Sequence, residues 1–276
     1  MVLLGTLYPL MIDGLGLGKI SVGAPYFNQT LFPILLLFLC FMGMGIQLKW
    51  VKQGIEPLLK RFIVQFFTAF SLAFGLLYLF FYVQYLVLAT LTLSFWVIIS
   101  VLHSLFQRYL QWGKLPRTAA YWAMFLAHIG FALSIIGIIV VSYYDIERDV
   151  HMKPGEIISL QGYQIQFHQE VNMTGPNYHG SQIRFSIQKG PYQSQVFPEK
   201  RIYDIGQMVM TDADIDANLW RDIYVALGSP IGDNDWSVRL YYKPLIRWIW
   251  LGGILMTLGG GLAFLHYIRA YFRKKS

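Results

Sequence analysis

Six histidines and one cysteine carry most of the redox and metal-binding chemistry open to this chain. Cys40 stands alone, so it can form no internal disulfide, no CxxC haem-attachment motif and no two-cysteine zinc site within the chain. His151, His168 and His179 lie in a polar stretch, where exposed or structural roles are expected. His103 and His266 lie near the ends of apolar runs and read as interfacial. His128 is different. It sits about nine residues into an apolar span at 119–143, roughly 13 Å deep at 1.5 Å per residue. That span holds no acidic side chain to pair with it. An ionisable group at such depth marks a functional site by default, and neutral imidazole is a common ligand of haem iron. Gly130 and Ala132 follow closely and would let a flat ligand approach. An interhelical hydrogen bond is the competing role, and these residues alone leave both open. His103 and His266 are only about three to five residues from the ends of their spans, several ångströms shallower. A second axial ligand is therefore expected from outside this chain.

Other patterns imitate sites without completing them. Gly14-Leu-Gly-Leu-Gly-Lys19 approximates a phosphate loop, but Asp13 stands where its first glycine belongs and Ile20 where Ser or Thr must follow. It reads as a glycine-rich connection. Asp212-Ala-Asp-Ile-Asp216 approximates a calcium loop, yet Ala217 replaces the sixth-position Gly and Ile223 the twelfth-position Glu. A helix N-cap or turn is expected there. No Ser–His–Asp grouping and no catalytic carboxylate pair can be assembled from spacing.

The elements that must position His128 are membrane spans. Of the 276 residues, 55% are hydrophobic and 13% charged, against about 25% charged in soluble domains. The mean hydropathy is +0.46. These values exclude a soluble globular enzyme, a disordered chain and an ordinary nucleic-acid-binding domain, despite the net charge of +7. Runs near 31–47, 62–82, 83–105, 119–143 and 245–266 approach the roughly 20 apolar residues that a spanning helix needs. The first is short unless it begins near Tyr26, and the second and third form a hairpin turning near Tyr82–Tyr85. Residues 1–11 are apolar but short and interrupted by Pro9; they read as the end of a spanning helix whose beginning is missing.

Basic residues in short loops set orientation. Lys49, Lys52, Lys60 and Arg61 fill one loop, Arg108, Lys114 and Arg117 another, and Arg269, Arg273, Lys274 and Lys275 the tail. With five spans these regions share the cytoplasmic side, which leaves 12–30 and 145–244 outside. No acidic residue and no internal repeat marks the spans as a transporter.

Residues 145–244 hold 13 of the 15 acidic residues and nine basic ones, a net charge of −4. Tyr163, Ile165 and Phe167 alternate with polar neighbours, as do residues 183–187 and 236–241, while 222–227 is more continuously apolar. Period-2 runs separated by Gly, Pro and Asn indicate strands in a small β-barrel or sandwich. The fold class expected is thus an α-helical integral membrane protein with an outer-facing β-rich domain between its last two helices. It has about five complete spans plus the truncated N-terminal one. Its regions are 1–30 (truncated span end and outer loop), 31–144 (helical), 145–244 (periplasmic β-rich) and 245–276 (last helix and basic cytoplasmic tail). Arg148, Lys243 and Arg247 fall at the outer interface, where they either snorkel to lipid headgroups or neutralise haem propionates. Trp248 and Trp250 read as interfacial belt residues.

Seven motifs, in order along the chain, carry a family resemblance. They are Gly5-Thr-Leu-Tyr-Pro-Leu10, Gly18-Lys-Ile-Ser-Val-Gly-Ala-Pro-Tyr-Phe-Asn28, Ala127-His-Ile-Gly130, Gly175-Pro-Asn-Tyr178, Pro198-Glu-Lys-Arg201, Arg221-Asp-Ile-Tyr-Val-Ala-Leu-Gly228 and Lys243-Pro-Leu-Ile-Arg-Trp-Ile-Trp250. Together they resemble the C-terminal part of the CcmF/NrfE family, membrane haem lyases of cytochrome c maturation system I. The family's tryptophan-rich WWD motif, its flanking outer histidines and the first half of its helices are absent from this sequence. The resemblance therefore implies a fragment or a split subunit, not active alone.

By the same resemblance, the bacterial inner membrane is the location and haem b the cofactor. His128 matches the family's transmembrane haem b ligand, with the partner histidine in the missing N-terminal half. The family receives haem from the chaperone CcmE and holds its vinyl groups against the CxxCH thiols of apocytochrome c. The buried haem b relays electrons for reduction of the haem being attached. Lipid, CcmE, CcmH, apocytochrome c and the missing half are the implied partners; nucleic acid is not. The outer domain is expected to contact CcmH or the substrate. A non-catalytic assembly scaffold, with His128 only a packing residue, is the alternative.

Overall fold

The computed structural model describes residues 2–48, 54–232 and 235–273. Lys49, Lys52, Lys274 and Lys275 of the expected basic regions, and the side chain of Arg273, lie outside what is described. The chain divides into two compact units, residues 1–135 with 252–276 and residues 136–251.

The helices are α1 (Val2–Gly14), α2 (Ala24–Gly45), α3 (Ile55–Phe80), α4 (Tyr85–Trp112), α5 (Ala119–Tyr144) and α6 (Ile246–Arg273). Four of them, α3 to α6, are long and apolar enough to cross a membrane, with mean hydropathies of 1.7 to 2.5 over their best windows. α1 and residues 29–45 of α2 are shorter apolar helices. The chain is a multi-pass membrane protein.

Local chemistry sets several helix ends. Pro25 follows the N-cap Gly23, so α2 begins seven residues earlier than its apolar run alone suggests. The Gln84 side chain accepts from the Tyr85 N–H at 3.1 Å and caps α4. Gly113 ends the same helix in the left-handed region at φ 62°. α3 buries Gln65, Ala69, Ala73 and Leu77, one residue per turn, turns Phe67 and Phe80 outward and sets Phe62 and Phe66 against Trp96 of α4.

In the helical unit, α5 and α6 approach through glycines. A Cβ on Gly130 would meet the Gly252 carbonyl at 2.6 Å. A Cβ on Gly252 would collide with the Gly130 carbonyl and Ser134, and one on Gly259 would meet the Ala123 carbonyl at 2.7 Å. Leu39 of α2, Val97 of α4 and Ala132 and Ile135 of α5 form a fully packed core.

The second unit is a β-sandwich. One antiparallel sheet has the order β1 (Ile146–Met152), β10 (Trp236–Pro244), β9 (Arg221–Pro230), β8 (Asp214–Ala217). The other runs β2 (Ile157–Leu160), β3 (Tyr163–Thr174), β4 (Tyr178–Lys189), β6 (Glu199–Tyr203), β7 (Val209–Asp212), with β5 (Tyr192–Val196) also paired to β4. Ile165, Phe167, Ile183, Phe185 and Ile187 face Ile223, Val225, Val238 and Leu240 across the core. The acidic run 212–216 lies in strands β7 and β8 rather than in a helix cap or turn. Asp214 accepts from the Phe197 N–H at 2.7 Å and Asp216 pairs with Arg221.

That pair is the polar centre of the domain. Arg221 Nη2 lies 2.7 Å from Asp216 Oδ2, with side chains 2% and 6% exposed. Tyr192 donates to Asp216 Oδ1 at 2.6 Å. The guanidinium also sits over the rings of Tyr163 and Tyr192, at 4.6 and 5.1 Å. Close by, burial and the neighbouring Tyr163 raise the phenol of Tyr242 above its ordinary range, against the pull of Arg221. A raised folded-state value means that the stability from holding this phenol neutral is present below about pH 10 and is lost as pH rises through the folded value. Denaturant midpoints of the chain should therefore fall above about pH 10, and Tyr242→Phe should flatten that fall. An alkaline limb of the same slope in the variant would remove Tyr242 from the account.

The junction to α6 is tight. Leu245 takes φ 53° and its N–H donates to the Trp220 carbonyl at 2.9 Å. Arg247 Nε donates to Asp222 Oδ1 at 2.9 Å and Trp248 Nε1 to the Leu219 carbonyl at 2.9 Å.

Candidate functional site

α5 presents Ala127, His128 and Phe131 at helical spacing on one face. They meet Phe38, Phe41 and Met42 of α2 and Met256 of α6 around an open apolar groove of about 560 Å³. That is within the roughly 300–1,000 Å³ of small-molecule and cofactor sites. Phe38 and Phe131 meet edge to face at 5.3 Å and stiffen one wall.

His128 Nδ1 lies 2.7 Å from the Met124 carbonyl one turn back. A carbonyl can only accept, so Nδ1 carries the proton and donates. The neutral ring therefore keeps its lone pair on Nε2, the atom a metal would take. The bond also fixes ring orientation, as second partners of metal-bound histidines commonly do. The competing role, a hydrogen bond to another helix, is not what Nδ1 makes.

These residues fit a haem. One oriented imidazole stands in an apolar, aromatic-walled groove of suitable size. The small residues that open the approach are not those expected. Gly130 is spent on the crossing with α6, and Ala132 is fully buried against Leu39 and Val97. The open floor is Ala127.

The other histidines are not brought to the groove. His103 lies half-buried on α4, and His266 is exposed on α6. His168 occupies the β3 bulge and its Nε2 bonds Ser186 Oγ at 2.8 Å. His179 faces Asp204 at 3.3 Å, and His151 is exposed. The three outer cations are engaged inside the β unit: Arg247 with Asp222, Lys243 over the Tyr224 and Tyr241 rings, and Arg148 with the Ser159 carbonyl. The groove walls on α2 and α6 were not marked by any motif. Their only sequence signal is the spacing of Phe38, Phe41 and Met42, which any lipid-facing helix shares.

Fold and groove together define a helical membrane protein that carries a β-sandwich between its last two helices and a metal-competent imidazole within its helical unit. Residues 143–244 match the family described as the CcmF C-terminal beta-sandwich. Over 96% of its length the chain is 38% identical to the cytochrome c-type biogenesis protein CcmF of Pseudomonas fluorescens, of which it covers 41%. It is 36% identical to CcmF of Escherichia coli (94% of the chain, 40% of the relative). It is also 33% identical to NrfE of Haemophilus influenzae (93% and 40%). The solved structure of "Cytochrome c Heme Lyase CcmF" superposes with a TM-score of 0.76, 21% identity, and coverage of 95% of this chain and 42% of that one. The resemblance read from the motifs is borne out: the chain is related to the C-terminal part of the CcmF/NrfE family. It spans about two fifths of the length of the curated relatives it matches.

Proposed function

We propose that this chain serves cytochrome c biogenesis as the C-terminal part of a membrane haem lyase, and that His128 is one axial ligand of a transmembrane haem b. The observation that carries the reading is the hydrogen bond from Nδ1 to the Met124 carbonyl, which leaves the lone pair on Nε2 of a side chain that lines an apolar groove. Bound there, haem b would supply electron transfer. The chain's own residues hold and orient: His128 ligates, Met124 fixes its tautomer, and Phe38 and Phe131 keep water away from the ring plane. The second ligand comes from the remaining part of the lyase.

The same reading places the protein in the bacterial inner membrane with five spans plus the short α1. Residues 145–244 face the periplasm and the C-terminus the cytoplasm, as the basic residues of the two inner loops and the tail support. The β-sandwich then lies on the side where CcmE, CcmH and apocytochrome c are met.

The test is a visible spectrum of the detergent-purified chain co-expressed with the N-terminal part of a CcmF protein, with and without His128→Ala. Split low-spin b-type bands should be present and should vanish in the variant. Met42 and Met256 share the groove, so Met42→Leu with Met256→Leu should leave the bands in place. Bands that survive His128→Ala would remove it from the site. No haem in either sample, with both parts folded and associated, would favour the assembly scaffold instead.

A further inference from the structure

A second polar feature of the helical unit has no part in the groove. Gln47, just past the end of α2, sends its Nε2 to Ser100 Oγ of α4 at 2.9 Å and to Gln65 Oε1 of α3. Ser100 also donates to Gln65 Oε1, at 3.3 Å. The three residues are 7%, 5% and 0% exposed in the order Gln47, Gln65, Ser100. Gln65 lies ten residues along α3, about 15 Å from its start. α2 therefore stops among its neighbours rather than at an outer surface.

The cluster is incompletely satisfied. Among the described residues, Gln47 Oε1 and Gln65 Nε2 are buried without a partner. So is the indole N–H of Trp96, one turn before Ser100 on α4. Trp96 packs against Gly43 of α2 and against Phe62 and Phe66, which flank Gln65. Two donors and one acceptor are thus left over where three helices meet. Unsatisfied polar groups in an apolar interior are expensive. Sites with two to four such groups characteristically hold ordered water.

We propose that Gln47, Gln65, Ser100 and Trp96 form an internal water-binding node that anchors the end of α2 to α3 and α4. The water accepts from Gln65 Nε2 and Trp96 Nε1 and donates to Gln47 Oε1. α2 also carries Phe38, Phe41 and Met42, so the node holds the helix that forms one wall of the His128 groove.

Radiolytic hydroxyl-radical labelling of the whole chain in detergent reads this directly, because bound water generates radicals beside the residues that hold it. Trp96 and Trp236 are almost equally buried, at 4% and 5% exposed. Trp236 sits in the sandwich with its N–H taken by Glu170 at 2.9 Å, and serves as the dry reference. Trp96 should label clearly above Trp236, and Gln47→Leu with Gln65→Leu should reduce it to the Trp236 level. Should the double variant fail to fold, Ser100→Ala, a smaller change, is expected to lower Trp96 labelling in part. Trp96 labelling no faster than Trp236 in the unmodified chain would overturn the proposal, and so would labelling unchanged in a folded variant. Neither result depends on haem at His128.

Discussion

Arg221→Ala is expected to destabilise the β-sandwich by about 3–5 kcal/mol, the usual consequence of stranding one member of a buried ion pair. The substitution leaves the Asp216 carboxylate almost fully buried, with the Tyr192 hydroxyl as its remaining side-chain donor. It also empties the space over the Tyr163 and Tyr192 rings. The bond from Arg221 Nη1 to the Asp216 carbonyl at 2.6 Å disappears as well, loosening the turn from β8 into β9. Chemical denaturation with hydrogen exchange on β8 and β9 would measure the loss. The pair itself contributes little net stability, because both groups were desolvated to make it. Arg221→Met with Asp216→Leu should therefore recover most of the loss. A single variant costing under about 1 kcal/mol would mean that water reaches the carboxylate and the pair is not truly buried.

Gly252→Leu is expected to have the largest effect in the helical unit. Its added Cβ would fall on the Gly130 carbonyl and the Ser134 backbone, neither of which can rotate away. Overpacking typically costs about 1–3 kcal/mol, and the upper end or beyond applies where backbone must move. Gly253 is the internal control. An added Cβ there meets nothing within 4 Å, so Gly253→Leu should be near neutral. Thermal unfolding in detergent should separate these neighbouring variants widely. Equal midpoints would show that α5 and α6 are not held by close backbone approach.

What was legible in the sequence follows from the range of the forces involved. α5 was read at 119–143 and forms Ala119–Tyr144, because a continuous apolar run has one stable state in a bilayer. The strand segments at 163–168, 183–187, 222–227 and 236–241 lie in β3, β4, β9 and β10, since alternation is local and visible. α4 runs on past 105 to Trp112 because Gly113, not the end of hydrophobicity, stops it. The candidacy of His128 was legible through depth alone. Its tautomer was not, because Met124 offers a backbone carbonyl that no residue type announces. Asp216 looked like a turn residue because its partner, Arg221, meets it only when β8 and β9 pair. The node of Gln47, Gln65 and Ser100 joins residues 18 and 53 positions apart, which no local pattern can relate. Gly130 and Ala132 were misassigned for the same reason: a small residue shows that something comes close, not what.

The junction at Leu245 has a mechanical meaning. A domain hung on a flexible tether can swing without its anchor feeling the motion. Here the chain passes from the last strand into α6 with a backbone hydrogen bond, an ion pair and an indole bond laid across the turn. There is no slack to take up. The sandwich and the first turn of α6, within residues 136–251, respond to a load as one stiff body.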